Sequence, residues 1–214
     1  MRLTTLAIQK LLRENQGFGT CDRHLELHLR LKPTPLKHLL RNYKMQSQNI
    51  DSIRTLFQSR LATLEHLLKS AQTHFCDDES FLQKRIAADM FPFGTQIAFT
   101  CNQPHNFALW CDGKPANNLD PDVTSLAQAY EHIANTKELL LGVNAEDAKL
   151  AEVTRIDLGQ SLYLELSGNA YVNEFLIPNF YFHMVTAYDI LRMAGVPIGK
   201  RDYMMHLVPL IRKE

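Results

Sequence analysis

The residues of this 214-residue sequence that could do chemistry stand closest together in the apolar stretch 178–192. Asn179 and His183 are four residues apart and therefore share one side of a helix. That side should face the protein core, because at 100° per residue the pair falls in one arc about 120° wide with apolar neighbours: Leu176, Phe180, Ala187, Ile190 and Ala194. An unpaired amide or imidazole in a core costs about 1–3 kcal/mol. The pair is therefore either a hydrogen-bonded core pair or part of a binding site.

Metal binding is the more specific form of the binding-site interpretation. A histidine and a second ligand at i and i+4 can bind one ion. One histidine and one amide, however, make a poor ligand set for a transition metal. The residue types alone favour the hydrogen-bonded core pair.

Four long helices must position these side chains. Apolar residues at three- and four-residue steps predict the first helix over 50–74, capped by Asn49 or Asp51. A short helix is expected at 80–87, and a second long helix over 89–111, with Pro92 in its first turn and a bend near Pro104. Turn residues fill 112–122, after which helices are predicted over 123–141 and from 168 to Gly195.

Residues 152–166 change to a period of two, which predicts a β-hairpin with a type II′ turn at Gly159 and Gln160. Leu162, Leu164 and Leu166 should face inward. The predicted fold is therefore all-α, a four-helix bundle with a small β-hairpin before the last helix.

The last helix is apolar nearly all round, because Tyr181, Phe182, Val185 and Tyr188 occupy the side opposite His183. A helix apolar on every side must cover its second side, either with the hairpin or with a partner subunit, and we expect a homodimer that uses this aromatic surface.

Residues 1–44 differ from residues 45–214, with net charges of +6 and −6. Three interpretations compete: a basic tail that docks on an acidic partner, an organelle-targeting peptide, or sequence upstream of a true start at Met45. The acidic residues Glu14 and Glu26 count against a targeting peptide. We favour the third interpretation, so that 1–44 is an extension, disordered or outside the true start, and 45–214 is the domain.

Composition excludes several classes of protein. The acidic main body argues against nucleic-acid binding, which needs clustered basic residues. No apolar run approaches the roughly 20 residues that span a bilayer. The four cysteines contain no Cys-x-x-Cys pair, which argues against a disulfide framework or zinc knuckle and favours a cytoplasmic location.

Several sequence blocks carry a resemblance to a known family. They are 85–92 (RIAADMFP) with Gln96-Ile97, 177–183 (IPNFYFH), 187–192 (AYDILR), Gly195-Val196 and 199–202 (GKRD). Over residues 48–203 the sequence resembles an uncharacterised family, a domain of unknown function grouped with the DinB-like superfamily of four-helix bundles.

The resemblance implies an up-down-down-up bundle, often dimeric. Better-studied DinB-like proteins bind a divalent metal through one histidine of the second helix and an i, i+4 pair of the last, and some are transferases or isomerases that use small thiols. The matching positions here are Gln96, Asn179 and His183. Two of the three histidines are absent, which weakens any zinc or nickel site.

Two functional hypotheses follow, and whether the protein is an enzyme stays open. The first is a degenerate metal or ligand pocket for a small thiol-bearing or electrophilic molecule, with His183 as general base or as the remaining metal ligand. Gln96 and Asn179 would orient the ligand, and the pocket wall would contain Phe93, Thr100 and Phe180. The second hypothesis is a non-catalytic homodimeric helical module with a structural Asn179–His183 pair.

Other residues carry weaker signals. Cys101 and Cys111 are expected to be buried, inert thiols. His66, His74 and His132 have no partner at ligand spacing in the sequence, and His105, next to Pro104, is expected at the surface. The 199–202 motif could hold an anion, although a turn with an Asp–Arg contact is the simpler expectation.

Overall fold

Four long helices form the core of the computed structural model, which describes residues 49–159 and 161–213. They are α1 (Ile50–His74), α2 (Phe93–Cys111), α3 (Leu126–Leu141) and α4 (Ile177–Met193). The predicted all-α bundle with a small hairpin is confirmed. The interpretation of residues 1–44 falls outside the described residues.

Helix α1 begins and ends as the sequence predicted. Asn49 is the N-cap: its Oδ1 accepts from the Ser52 N–H at 2.7 Å, and Ser52 Oγ accepts from the Asn49 N–H at 3.1 Å. This reciprocal capping box satisfies two backbone donors that have no partner inside the helix. The apolar stripe of α1 is buried as expected: Ile50, Ile53, Phe57, Leu61, Leu64 and Leu68.

Helix α2 begins four residues later than predicted, because Pro92 is its N-cap residue and does not lie in its first turn. Proline disfavours helical backbone at the residue before it, so the helix does not extend back through Phe91. The short helix expected at 80–87 is a 3-10 helix that ends at Gln83. The Phe93 N–H donates to the carbonyl of Lys84 at 2.8 Å and closes the loop between them.

The loop between α2 and α3 is held by side chains of α2. Asn102 Oδ1 accepts from the Leu119 N–H at 2.7 Å, and Asn106 Oδ1 accepts from the Asn117 N–H at 2.9 Å. Both asparagines are buried. They replace water as partners for loop backbone groups that would otherwise be unpaired. The loop extends to Ser125, the N-cap of α3, so the helix begins three residues later than predicted.

The predicted hairpin consists of β1 (Val153–Gly159) and β2 (Leu162–Ser167). Gly159, expected in the turn, is the last residue of β1, and Ser161 takes the left-handed φ of 63°. The inward orientation predicted for its leucines is wrong for Leu162 and Leu164, which are 45% and 39% exposed. Only Leu166, nearest the last helix, packs against the core. Residues 157–163 lie outside the compact unit that contains the bundle.

The last helical segment is not one continuous α-helix. An α-turn at Gly168–Ala170 is followed by a π-helix at Tyr171–Leu176 and then by α4. A π-helical turn holds one residue more than an α-turn, and such turns occur frequently at functional sites. The end matches the prediction, because Gly195 follows the helix with φ of +90°.

Aromatic rings join three of the helices in the core. Phe57 of α1 lies with its ring centroid 5.6 Å from Phe107 of α2 and 5.3 Å from Phe180 of α4. Helix α2 packs extensively on both α3 and α4. None of the helices in the described ranges is long and apolar enough to cross a membrane.

Candidate functional site

Gln96 lies in the first turn of α2 and is only 2% exposed. Its Nε2 donates to the carbonyl of Phe91 at 3.1 Å, so the loop before α2 satisfies the donor end of this amide. The acceptor end, Oε1, lies 2.8 Å from Nδ1 of His183. The structure therefore brings together two of the three predicted site residues, from α2 and α4.

This contact assigns the protons of the His183 imidazole. An amide oxygen only accepts hydrogen bonds, so Nδ1 of His183 must carry a proton to bond Gln96 Oε1. In the neutral ring, Nε2 is then the unprotonated nitrogen. The backbone carbonyl of Phe91 thus determines, through Gln96, which nitrogen of His183 presents a lone pair.

Nε2 is the nitrogen that remains available to a ligand. It has no hydrogen-bond partner among the described residues, and it is not one of the sealed, unpartnered side-chain atoms there, which are Nδ1 of His105 and Nδ1 of His206. His183 itself is only partly exposed. Its Nε2 therefore reaches solvent through a restricted opening.

Aromatic rings surround the imidazole. The ring of Phe99 lies 5.0 Å from it and that of Phe182 lies 5.2 Å from it, both edge-to-face. Phe91 packs on Phe99 at 5.2 Å. Burial lowers the pKa of His183 from 6.5 to about 4, so the ring is neutral at physiological pH.

Asn179 does not join this pair by a hydrogen bond. Its Nδ2 donates to the carbonyl of Phe175 at 2.6 Å, within the same helical segment. The two bonded residues lie on either side of Pro178, which has no N–H and therefore donates no backbone hydrogen bond in the helix. In this structure the amide of Asn179 supports the junction between the π-helix and α4.

The residues expected in the pocket wall, Phe93, Thr100 and Phe180, are fully buried. The rings next to the imidazole, Phe99 and Phe182, were missed by sequence reasoning. Phe99 follows Gln96 by three residues on one helix, and that spacing was the signal that could have found it.

A divalent metal does not fit this set of donors. Gln96 Oε1 is directed to the ring N–H of His183, and the Asn179 amide bonds its own helix. That leaves Nε2 of His183 as one strong ligand. Across the part of the chain that the structure describes, no group of three or more His, Cys, Asp or Glu side chains could hold a metal ion.

The cysteines of α2 are poor nucleophiles. Burial raises the pKa of Cys101 to about 12 and that of Cys111 to about 12. Thiols with such pKa values are protonated at neutral pH and react slowly.

Comparisons with known proteins identify the family and the fold. The sequence profile of the family described as Domain of unknown function (DUF1993) matches residues 51–204. The chain belongs to the DUF1993 family. The resemblance stated from the motif blocks, over residues 48–203, is confirmed.

A solved structure shows the fold of this DUF1993 domain. The crystal structure of a DinB family member protein from Shewanella denitrificans is 31% identical in sequence, with a TM-score of 0.61, over 71% of this chain and 88% of that chain. The DUF1993 domain therefore has a DinB-like fold. Among curated proteins, none matches the sequence.

Proposed function

We propose that this DUF1993 domain binds a small molecule at His183 without a metal. The ligand has an apolar body that lies against Phe99 and Phe182, and a hydrogen-bond donor that meets Nε2. The observation that supports this is the 2.8 Å contact between His183 Nδ1 and Gln96 Oε1, which leaves Nε2 as the acceptor.

The ligand donor is a thiol or a hydroxyl in this proposal. A neutral imidazole accepts a hydrogen bond from either group, and the apolar surroundings exclude strongly hydrated ligands. Within the described residues, the hydrogen bond and the ring contacts of the imidazole are with neutral side chains. The site therefore suits a neutral molecule.

Binding is better supported than catalysis. A general base works best when its pKa lies near the operating pH. His183, with a pKa of about 4, removes a proton from a thiol of pKa about 8.5 only at a large free-energy cost. A thiol-transferase function would require a ligand that raises the pKa of His183 on binding.

The test is a matched set of small aromatic probes. Benzyl mercaptan and benzyl alcohol carry a donor, whereas benzyl methyl sulfide has a similar shape and none. We expect the two donors to stabilise the untagged protein in a thermal-shift assay and to move the ¹⁵N resonance of His183 Nε2.

The controls separate this site from general apolar binding. His183→Leu should abolish the donor-dependent stabilisation, while His74→Gln, a change of an exposed histidine, should retain it. Elemental analysis of the same protein checks for bound metal. Equal responses to all three probes, or a stoichiometric metal that needs His183, would overturn the proposal.

A homodimeric module is the second candidate function. Its support is the exposed apolar surface of α4, where Phe182, Val185 and Met193 are 61%, 41% and 56% exposed. Tyr181 and Tyr188, expected in the same surface, are instead partly buried against the core of their own chain.

Sedimentation at micromolar concentration tests the homodimer. A dimer that dissociates when Phe182→Ser or Val185→Ser is introduced supports this candidate. Leu141→Ser, a change of an exposed residue at the end of α3, is the control. A monomer that does not change with concentration rejects it. Because Phe182 also contacts His183, a dimer through this surface would restrict access to Nε2.

A cytoplasmic location is part of the proposal. The described cysteines Cys76, Cys101 and Cys111 are free thiols, which suits a reducing compartment. Fractionation of cells that express the protein from its native locus tests this location.

A further inference from the structure

The C-terminal segment crosses α1 and brings several polar side chains together. The short helix Lys200–Tyr203 and the 3-10 helix Met205–Leu210 both pack on α1. Asp202 Oδ1 lies 2.9 Å from Nε2 of His66, and Asp202 Oδ2 accepts from the Gly199 N–H at 2.8 Å. The Asp–Arg contact expected for the 199–202 motif is thus replaced by an Asp–His contact.

Arg60 lies on α1 within this region and is partly buried. Its Nε donates to Tyr181 Oη at 3.3 Å and its Nη1 donates to Ser59 Oγ at 3.0 Å. Both partners are neutral. Among the ion pairs between described residues, none involves Arg60. Within the described chain its guanidinium therefore bonds only neutral groups and can take an anionic partner.

The groups around Arg60 are mostly donors as well. Tyr181 accepts from Arg60, so its own hydroxyl proton remains available. Tyr203 packs its ring on Tyr188, with 5.7 Å between the centroids, and its hydroxyl has no hydrogen bond within the described chain. Nδ1 of His206 is buried without a partner.

The positive charge of Arg60 affects the pKa values of His206 and Tyr203. Burial lowers the pKa of His206, and the positive charge of Arg60 lowers it further. Burial also raises the pKa of Tyr203, which Arg60 partly opposes. Asp189 contributes the negative charge that acts on Tyr203. It does not form an ion pair with Arg60.

We propose that Arg60, Tyr181, Tyr203 and His206 form a binding site for a small oxyanion, the carboxylate or phosphate group of a small molecule. A guanidinium fork presents parallel N–H donors that match two oxygens of such an anion. The phenol hydroxyls supply the remaining donors. The exposed Lys200 and Arg201 nearby increase the attraction of anions to this surface.

This oxyanion site is separate from the His183 site. Tyr181 and His183 are two residues apart on α4, which places them about 200° apart around the helix axis. The oxyanion site therefore does not depend on the proposed function, and either can fail alone.

The experiment is an NMR titration of the full chain with inorganic phosphate and, in a second arm, with acetate. Sodium chloride at matched ionic strength is the reference. The Hε1 resonance of His206, assigned with His206→Gln, should move saturably, and the pKa of His206 should rise because the bound anion stabilises the imidazolium. A response to phosphate alone identifies a phosphate group, and a response to both identifies a site open to carboxylates.

Variants make the result specific. Arg60→Gln should weaken the response at least tenfold, whereas Arg85→Gln, a change of an exposed arginine before α2, should leave it unchanged. Tyr181→Phe keeps the ring and removes one donor, so it should weaken the response several-fold even if Arg60→Gln does not fold. A response no larger than that to chloride, or one that is equal in Arg60→Gln, would show that no such site exists.

Discussion

Burial keeps the imidazole of His183 neutral at pH values where a histidine in water is already protonated. Between the ordinary pKa of 6.5 and the folded pKa of about 4, the unfolded chain holds a proton that the folded chain does not. Falling pH therefore favours unfolding across this window and has no further effect through this residue below it. The cost is at most about 3 kcal/mol, since one pKa unit corresponds to about 1.4 kcal/mol.

His183→Leu should remove this pH dependence. The free energy of unfolding of the wild type should fall more steeply than that of the variant between pH 6.5 and about 4. Above this window the variant should be less stable by about 1–3 kcal/mol, because Gln96 Oε1 loses its partner. Urea denaturation at several pH values measures both effects, and parallel curves would contradict the assigned pKa.

Gln96→Glu should raise the pKa of His183. A carboxylate in place of the amide accepts a charge-assisted bond from the protonated ring, so the pKa should move from about 4 towards or above 6.5. Gln96→Leu removes the acceptor without adding charge and is the matched control. The Hε1 resonance of His183 reports both values, and equal pKa values in the two variants would disprove the contact.

At the scale of the elements, a helix was predicted correctly where the sequence shows both its apolar stripe and its capping residue. Helix α1 has both an apolar stripe and a cap, so its two ends were correct. The sequence allows Pro92 either as an N-cap residue or in the first turn of a helix. The 84–92 loop decides between the two positions, and it depends on the hydrogen bond from the Phe93 N–H to the Lys84 carbonyl. The outward leucines of β2 show a similar limit, because a period of two does not tell which face of a strand is covered.

The candidate site was also predicted only in part. Gln96, Asn179 and His183 were grouped by the family resemblance, and the structure joins Gln96 and His183 by a hydrogen bond. Phe99 and Phe182 were missed, because ring contacts depend on the rotation of α2 against α4. The role of Asn179 was missed because the π-helix at Tyr171–Leu176 leaves no clear pattern in the sequence.

Gly168→Ala should destabilise the junction between the hairpin and the last helix. A Cβ there would lie 2.6 Å from the Lys149 carbonyl and 2.6 Å from the Trp110 ring, closer than atoms in contact allow. We expect a loss of about 1–3 kcal/mol in the free energy of unfolding. Gly142→Ala is the control, because its Cβ would lie 3.5 Å from the Leu139 carbonyl and should be tolerated. Equal stability of the two variants would contradict the packing at Gly168.

At the scale of the bundle as a whole, polar contacts tie together residues that are far apart in the chain. The Ile50 N–H, at the start of α1, donates to Asp147 Oδ1 at 3.0 Å. His66 in the same helix bonds Asp202, 136 residues later. These contacts attach both the loop before β1 and the C-terminal segment to α1.

Asp202→Asn should loosen the C-terminal segment. The hydrogen bonds from His66 and from the Gly199 N–H lower the pKa of Asp202 below 3.8. Its stabilising contribution is therefore present above pH 3.8 and is lost as the pH falls through the lower folded value. Hydrogen exchange of the 199–210 amides should be faster in Asp202→Asn than in the wild type at neutral pH, and the difference should vanish in acid. Asp112→Asn, which breaks an exposed pair with Lys114, should have little effect.

The π-helix before α4 amounts to one extra residue in an otherwise α-helical segment. Deleting a single residue from Tyr171–Leu176 would shorten this stretch to a regular α-helix and leave both ends facing nearly the same way, because the wider π-helical turn takes up the extra residue. Trp110, which packs on Tyr171 with 5.6 Å between the ring centroids, would keep its position relative to the segment, and Gln96 would still meet His183. The extra residue therefore widens the helix locally, between the hairpin end and the His183 site, without changing the direction of either end.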